Sequence, residues 1–249
     1  WGFSDDDLQF WEDEPEEIIA ENIDKDIGDI KILNLYAGIG GNRKLWGDLN
    51  ITAVEYNPEI AKVYHDYFPN DEMIIDDAHD YLEKHFNEYD FIWSSPPCPT
   101  HSRLKPAGVA ATNKGNTGCI KHKQKAVYPD MKLYEEIIFL QTYFNGKYAV
   151  ENVKSYYEPL IEPQQIGRHY YWSNIDLGNI EIKEVEKIKS IVEMDYKKQA
   201  KIFGYDYFTI PNPKNYPRQK IINNLVNPKT GEAILKQAYK AERFEAASA

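Results

Sequence analysis

Ser94-Ser95-Pro96-Pro97-Cys98 is the segment of this chain best suited to chemistry. A thiolate is a strong nucleophile, and the prolines before it fix the backbone that presents it. The polar flank argues against the ordinary fate of a lone cysteine as a small buried hydrophobe. The stretch that follows holds Arg103, Lys105, Lys114, Lys121, Lys123 and Lys125 with no Asp or Glu, a local charge of +6 that would favour a thiolate. Cys119, inside that stretch, reads as an unremarkable exposed thiol. Ala149-Val150-Glu151-Asn152-Val153 supplies a carboxyl group able to donate a proton or to hold an amino group on a substrate. Leu33 to Gly41 runs from apolar residues into the glycines Gly38, Gly40 and Gly41, which let backbone approach a ligand closely. Glu55, about twenty residues on, suits ribose hydroxyls, and Asp77 ends the next apolar run in the same way. The turn lacks G-x-G-x-x-G spacing, and no Lys-Ser or Lys-Thr follows, which excludes a P-loop. Taken alone, a plain turn with ordinary strand-end acids explains these residues equally well.

The elements that must position these groups alternate short apolar runs with amphipathic stretches, the pattern of an α/β fold around a parallel sheet. Strands are expected at Ile30–Tyr36, Ile51–Glu55, Glu72–Ile75, Tyr89–Ser94 and Lys147–Glu151. Further strands are expected at His169–Ser173 and near Ile180–Ile182. Helices are expected at Asn42–Leu49, after the Asn57-Pro58 cap, over Asp80–Phe86, over Lys132–Phe144 and over Gly231–Tyr239. Cys98 and Glu151 then share the carboxyl edge of the sheet, where open α/β sheets bind ligands. The 103–125 stretch exceeds ordinary connections, so it is functional or disordered by base rate.

The chain has 249 residues and a composition of 42% hydrophobic and 28% charged residues, that of a globular protein. No apolar run is long enough for a membrane span, no signal-peptide pattern opens the chain, and two cysteines are too few for a disulfide framework. The net charge of −11 argues at first against a nucleic-acid partner. Its location changes that reading: residues 1–30 hold twelve acids and one base, whereas residues 31–249 balance at 28 of each. The acidic segment reads as a solvated terminus. A docked helix is the alternative, because Leu8, Phe10, Trp11, Ile18, Ile19 and Ile23 interrupt the charge.

In order and spacing, these segments resemble the cytosine-C5 DNA methyltransferases. Asn34–Gly41 is similar to the family's Phe-x-Gly-x-Gly motif, with Tyr36 in the Phe place. Pro97-Cys98 resembles the catalytic Pro-Cys motif, and Glu151-Asn152-Val153 the Glu-Asn-Val motif. Ile166 to Tyr170 resembles Gln-x-Arg-x-Arg, keeping Arg168 and placing Tyr170 where the second arginine would stand. Phe203-Gly204-Tyr205-Asp206 is a loose version of the Gly-Phe-Pro segment. Gln219 to Pro228 resembles the closing motif, with Asn223 in its glycine place and Asn224 following. After Cys98 the chain reads Pro99-Thr100-His101-Ser102 in place of Gln-x-Phe-Ser. The resemblance spans about residues 30–240.

The resemblance implies a Rossmann-like methyltransferase fold, a mostly parallel sheet flanked by helices, with a small or vestigial target-recognition insert. It divides the chain into an acidic extension (1–29), a catalytic and cofactor-binding core (30–172), a short target-recognition insert (173–200) and a returning C-terminal segment (201–249). It implies S-adenosylmethionine as cofactor, with S-adenosylhomocysteine as product. Tyr36, Gly38, Gly40, Gly41, Glu55, Tyr56, Asp77, Pro97 and Asn224 would bind it, Glu55 at the ribose, Tyr56 and Asp77 at the adenine. Cys98, Glu151 and Arg168 would be catalytic: Cys98 adds to C6 of a flipped cytosine, Glu151 holds N3 and the amine, and Arg168 contacts O2. Ser102, Arg103, Lys105, Lys114, Lys121, Lys123 and Lys125 would bind double-stranded DNA. The short insert implies a brief recognition sequence or a protein partner that supplies one. No metal and no membrane is implied, and the setting is the cytoplasm of a prokaryotic or phage-encoding cell, with restriction-modification as context. Two alternatives stay open: a tRNA substrate, which one branch of the family uses, and a non-catalytic DNA-binding regulator.

Overall fold

A computed structural model describes residues 27–102, 128–178, 180, 182, 195–213 and 216–239. Nearly all of the acidic extension, the basic stretch with Cys119, and half of the expected insert lie outside the described residues. So do Arg103, Lys105, Lys114, Lys121, Lys123 and Lys125.

Seven strands form one sheet: β1 (Lys31–Leu35), β2 (Asn50–Val54), β3 (Glu72–Ile74), β4 (Phe91–Ser94), β5 (Lys147–Val153), β6 (Gln164–Ile166) and β7 (His169–Ser173). Their order is β3-β2-β1-β4-β5-β7-β6, with β7 antiparallel to both its neighbours and the other pairs parallel. This is a mostly parallel Rossmann-like sheet flanked by helices, the fold class expected from the sequence. The order reverses between β1 and β4, so a crevice opens at their carboxyl ends.

Both faces of the sheet are covered, which is why β1 and β4 are buried along almost their whole length. On one face Leu33, Leu35, Ile92, Tyr148 and Val150 pack against α2 (Ala78–His85) and α3 (Lys132–Tyr143) through Leu82, Leu133, Ile137 and Leu140. On the other, Ile32, Phe91, Trp93, Ala149 and Tyr171 meet Trp46 and the apolar side of α6 (Pro228–Tyr239). A third cluster joins α1 (Pro58–Tyr67) to α4 (Tyr196–Ile202) and α5 (Arg218–Asn223) through Ile60, Val63, Ala200, Tyr205, Ile221 and Ile222.

Local chemistry sets the element ends. Asn57 caps α1, its side chain accepting from the amides of Glu59 and Ile60 at 2.9 and 3.4 Å, and Pro58 occupies the first turn. The helix expected over Asn42–Leu49 is a 3-10 turn ending at Leu45, because Gly47 follows at φ +78°. The turn is pinned by a buried bidentate pair, Arg43 to Asp71 at 2.8 and 2.9 Å, with the Tyr64 hydroxyl donating to the same carboxylate at 2.7 Å. Gly231 lets α6 close on this turn, since a Cβ there would lie 2.1 Å from the Asn42 carbonyl oxygen. Neither Ile180 nor Ile182 lies in a strand; the sheet ends instead in the short β6, which no apolar run announced. Among the described residues, no helix is long and apolar enough to cross a membrane, and no cluster of His, Cys, Asp or Glu could hold a metal.

Candidate active site

Cys98 sits just past β4, and its backbone is tied to the elements around it. The Pro96 carbonyl accepts from Asn152 Nδ2 at 3.0 Å, which joins the end of β4 to β5. The Cys98 carbonyl accepts from the amides of His101 and Ser102 at 3.0 and 3.1 Å, closing a tight turn. That turn is clamped from the far side: Tyr156 N–H donates to the His101 carbonyl at 3.1 Å, Ser102 bridges Ser155, and His101 Nδ1 lies 2.5 Å from the Tyr157 hydroxyl. His101 is 1% exposed, and burial lowers its proton affinity against the opposing pull of Asp130. His101 therefore gives the turn a polar anchor.

Glu151 lies in β5, directly across from Tyr171 of β7. It is buried, and burial raises its proton affinity, while the charge of His169 and a hydrogen bond from Ser95 act the other way. His169 Nε2 is 3.7 Å from Glu151 Oε1. The Cys98 thiol is also pushed up, first by burial and then by the Glu151 charge, while Lys220 pulls it down. The cysteine and the acid thus share one electrostatic environment at the ends of adjacent strands. Burial and the Glu151 charge oppose the thiolate that the basic stretch was expected to favour. Arg168 stands exposed in the Gly167-Arg168 turn, its carbonyl accepting from Lys154 N–H at 3.4 Å. The imidazole one residue further on is the group that meets Glu151.

The glycine turn completes the other half of the crevice. Tyr36 adopts φ +53°, a left-handed conformation uncommon outside glycine, and Gly38 and Gly40 follow at +56° and +84°. A Cβ at Gly40 would sit 2.3 Å from the Phe68 ring, and one at Gly41 2.7 Å from the Val226 carbonyl oxygen, whereas Gly38 faces open space. Glu55 is held at both oxygens, by the amides of Gly38 at 3.0 Å and Asn57 at 2.9 Å. Burial raises its proton affinity, and these amide bonds oppose that rise. With a third backbone hydrogen bond from Tyr56, the carboxylate keeps one further acceptor position. Asp77 caps α2, accepting from His79 and Asp80 amides at 2.9 and 3.3 Å. Tyr56 is 76% exposed and Ile75 57% exposed, so the ends of β2 and β3 offer apolar faces beside the two acids.

Two groups that the sequence reading missed complete the surroundings. Glu136 of α3 is fully buried and accepts from the Tyr36 hydroxyl and from Ser94 Oγ at 2.6 Å, with His79 Nδ1 at 3.2 Å. It thereby ties the glycine turn to the end of β4, and it holds the His79 proton more tightly than usual. Its position was legible: Glu136 lies three residues after Leu133 and four before Leu140, on the inward stripe. Tyr216, just before α5, accepts from Asn224 Nδ2 at 2.5 Å and lies under Lys220 Nζ, 4.3 Å from the ring centroid. The charges of Glu55 and Cys98 both raise its proton affinity, as burial does first, so Tyr216 spans the two halves of the crevice. The structure therefore brings together Cys98, Glu151 and Pro97 on one side and the glycine turn with Glu55 on the other. Asn224 donates to Tyr216, two residues before the Val226 carbonyl that packs on Gly41.

Residues 30–117 match the family model of the C-5 cytosine-specific DNA methylases, so the likeness read from the motifs is found independently over the first four strands and Cys98. Similar solved structures include a DNMT2 mutant from Spodoptera frugiperda, at 26% identity over 51% of this chain and 36% of that one, with a TM-score of 0.32. The Entamoeba histolytica methyltransferase EhMeth matches at 16% identity over 50% of this chain and 38% of its own, with a TM-score of 0.30. SMU.776, solved in complex with SAH, matches at 12% identity, 61% and 47% coverage and a TM-score of 0.37. The chain thus spans little more than a third of the DNMT2 and EhMeth chains. No curated protein matches this sequence.

Proposed function

We propose that this chain, whose residues 30–117 carry the C-5 cytosine-specific DNA methylase pattern, is an S-adenosylmethionine-dependent DNA cytosine-C5 methyltransferase. The observation that carries the reading is the pairing of Cys98 and Glu151 at the ends of β4 and β5, locked together by the Asn152–Pro96 hydrogen bond. Carbon 5 of cytosine is a weak nucleophile, and a covalent route overcomes this. The Cys98 sulfur adds to C6 as Glu151 gives a proton to N3, which makes C5 electron-rich. S-adenosylmethionine supplies the methyl group that C5 takes up. Water then takes the C5 proton, the Cys98 thiolate leaves C6, and N3 returns its proton to the Glu151 carboxylate, which restores the ring. His169 and Ser95 hold the Glu151 carboxyl in place across these steps. Arg168 would reach O2 only once a base occupies the crevice, because it stands exposed in its turn.

The residues present fit the cofactor. Glu55 keeps an acceptor position for a ribose hydroxyl, Tyr56 and Ile75 offer exposed apolar surface for a flat ring, and Gly38 faces open space where a side chain would intrude. Tyr36, Gly40 and Gly41 shape the turn, and Asp77, Pro97 and Asn224 border it. The target base must leave the duplex to meet Cys98, at a cost of a few kcal/mol. Ser102 and the basic residues Arg103, Lys105, Lys114, Lys121, Lys123 and Lys125 are placed by sequence directly after the nucleophile, where phosphate contacts would repay part of that cost. We read 30–172 as the catalytic core and 173–200 as the recognition insert. Its brevity favours a short target sequence or a protein partner.

DNA bearing 5-fluorocytosine tests the mechanism, since a C5 fluorine cannot leave as the proton does. The expected result is a covalent protein–DNA adduct with the wild-type chain and none with Cys98→Ala. Methyl transfer retained in full by Cys98→Ala would defeat the covalent route. Transfer onto tRNA and not onto duplex DNA would defeat the choice of substrate.

A further inference from the structure

Residues 195–224 carry six basic residues against two acids, Asp195 and Asp206. Both acids are turned onto backbone amides: Asp195 caps α4 through Lys197 and Lys198 at 3.0 and 3.1 Å, and Asp206 accepts from Phe208 N–H at 2.9 Å. Three of the basic side chains lie over aromatic rings. Lys197 Nζ is 5.1 Å from the Phe208 centroid and 5.9 Å from that of Tyr207, Arg218 Cζ is 4.8 Å from Tyr207, and Lys220 Nζ is 4.3 Å from Tyr216. Tyr207 and Phe208 touch edge to face at 5.4 Å. Phe208 is 68% exposed, an unusual setting for a phenylalanine, and its surroundings are rigid. Tyr205 donates to the Ile39 carbonyl at 2.9 Å, and Tyr67 accepts from the Asp206 amide at 3.0 Å and meets Thr209 Oγ1 at 3.2 Å.

We propose that Lys197, Phe208, Tyr207, Arg218, Tyr216 and Lys220 form a track for unpaired DNA, leading the strand beside the flipped cytosine toward Cys98. The inference rests on the DNA methyltransferase reading and deepens it by naming the state of the substrate. Alternating cations and aromatic faces suit phosphates and unstacked bases respectively, and a paired base has no free face for Phe208. A base stacks on the open side of Phe208 while Lys197 reaches the adjoining phosphate. The track meets the crevice at Tyr216, which accepts from Asn224 Nδ2 at 2.5 Å, two residues before the Val226 carbonyl that packs on Gly41; the Lys220 charge also acts on Cys98 there. It also explains how a chain with so short an insert gains purchase on DNA: stacking is tolerant of sequence, whereas a groove-reading surface is not needed for it.

The test uses the full chain and fluorescein-labelled oligonucleotides of one cytosine-containing sequence, as single-stranded DNA, duplex DNA and single-stranded RNA, followed by fluorescence anisotropy. Phe208→Ala should weaken single-strand DNA binding by about five- to a hundredfold while leaving duplex binding unchanged, the span of one lost stack. Lys197→Ala should flatten the slope of log K against log salt by about 0.7 on single strands. Lys62→Ala, on the exposed face of α1, is the charge control and should change little. Unchanged single-strand affinity in Phe208→Ala, with an unchanged Tm, overturns the track and leaves the enzyme reading standing. Equal losses on single strand and duplex also overturn it, as does tighter binding to RNA than to DNA. If the wild-type chain binds no oligonucleotide and transfers no methyl group, the underlying reading falls with it.

Discussion

Cys98 and Glu151 work against each other before substrate arrives. The Glu151 charge raises the thiol, and burial raises both groups, so the thiolate paired with a protonated acid is a minor form of the free protein. On the proposed mechanism, addition to cytosine needs that form, so the rate should fall on both sides of an optimum: acid protonates the sulfur, alkali removes the Glu151 proton. Glu151→Gln separates the two effects. Removing the charge lowers the thiol, so Cys98 should be alkylated by iodoacetamide faster than in the wild type at the same pH, in a Cys119→Ser background. Methyl transfer should meanwhile drop by about 10²–10⁴-fold. Slower alkylation in Glu151→Gln would show that the carboxyl does not act on the sulfur. Lys220→Met should do the reverse and slow alkylation, since its charge is the one that favours the thiolate among the described residues.

At the scale of elements, the site depends on contacts between segments far apart in the chain. Gly231 in α6 shows this most sharply. Alanine is intrinsically better in a helix by about 1 kcal/mol, yet its Cβ would meet Asn42 backbone at 2.1 Å. Gly231→Ala should therefore destabilise the fold by about 1–3 kcal/mol, read as a Tm drop of about 2–4 °C per kcal/mol. An unchanged or higher Tm would mean α6 does not seat on the turn as described. The parallel strands were legible because burial on both faces writes them as apolar runs, and Asn57-Pro58 declared the start of α1. What escaped had no such signature. Gln164–Ile166 is polar and three residues long, and becomes a strand only because β7 offers it an edge. Leu45 ends its turn because of Gly47, a residue that periodicity passes over. In the site, Cys98, Glu151 and the glycine turn stood out by residue type. His169, Glu136 and Tyr216 did not, because antiparallel pairing and helix packing bring them in from elsewhere.

Over the whole molecule, charge is segregated along the chain. Residues 1–28 hold eleven acids and one base, so removing them takes the chain from −11 to −1. Deleting 1–28 should leave methyl transfer intact and tighten DNA binding at about 50 mM salt, with the difference vanishing near 1 M, where screening is complete within a few ångströms. Anisotropy titrations across salt check this, and loss of folding on deletion would instead make the segment structural. The closure of α6 on the first turn carries a further consequence, one of timing. Asn42 and Gly231 are 189 residues apart, so at about 5–20 residues per second a ribosome spends roughly 10–40 s between them. For that interval the nascent chain has its glycine turn but not the helix that buttresses it. Synthesis must pass Tyr239 before the crevice can hold its shape, and a fragment cut after Cys98 would carry the proposed nucleophile without the helix that supports its site.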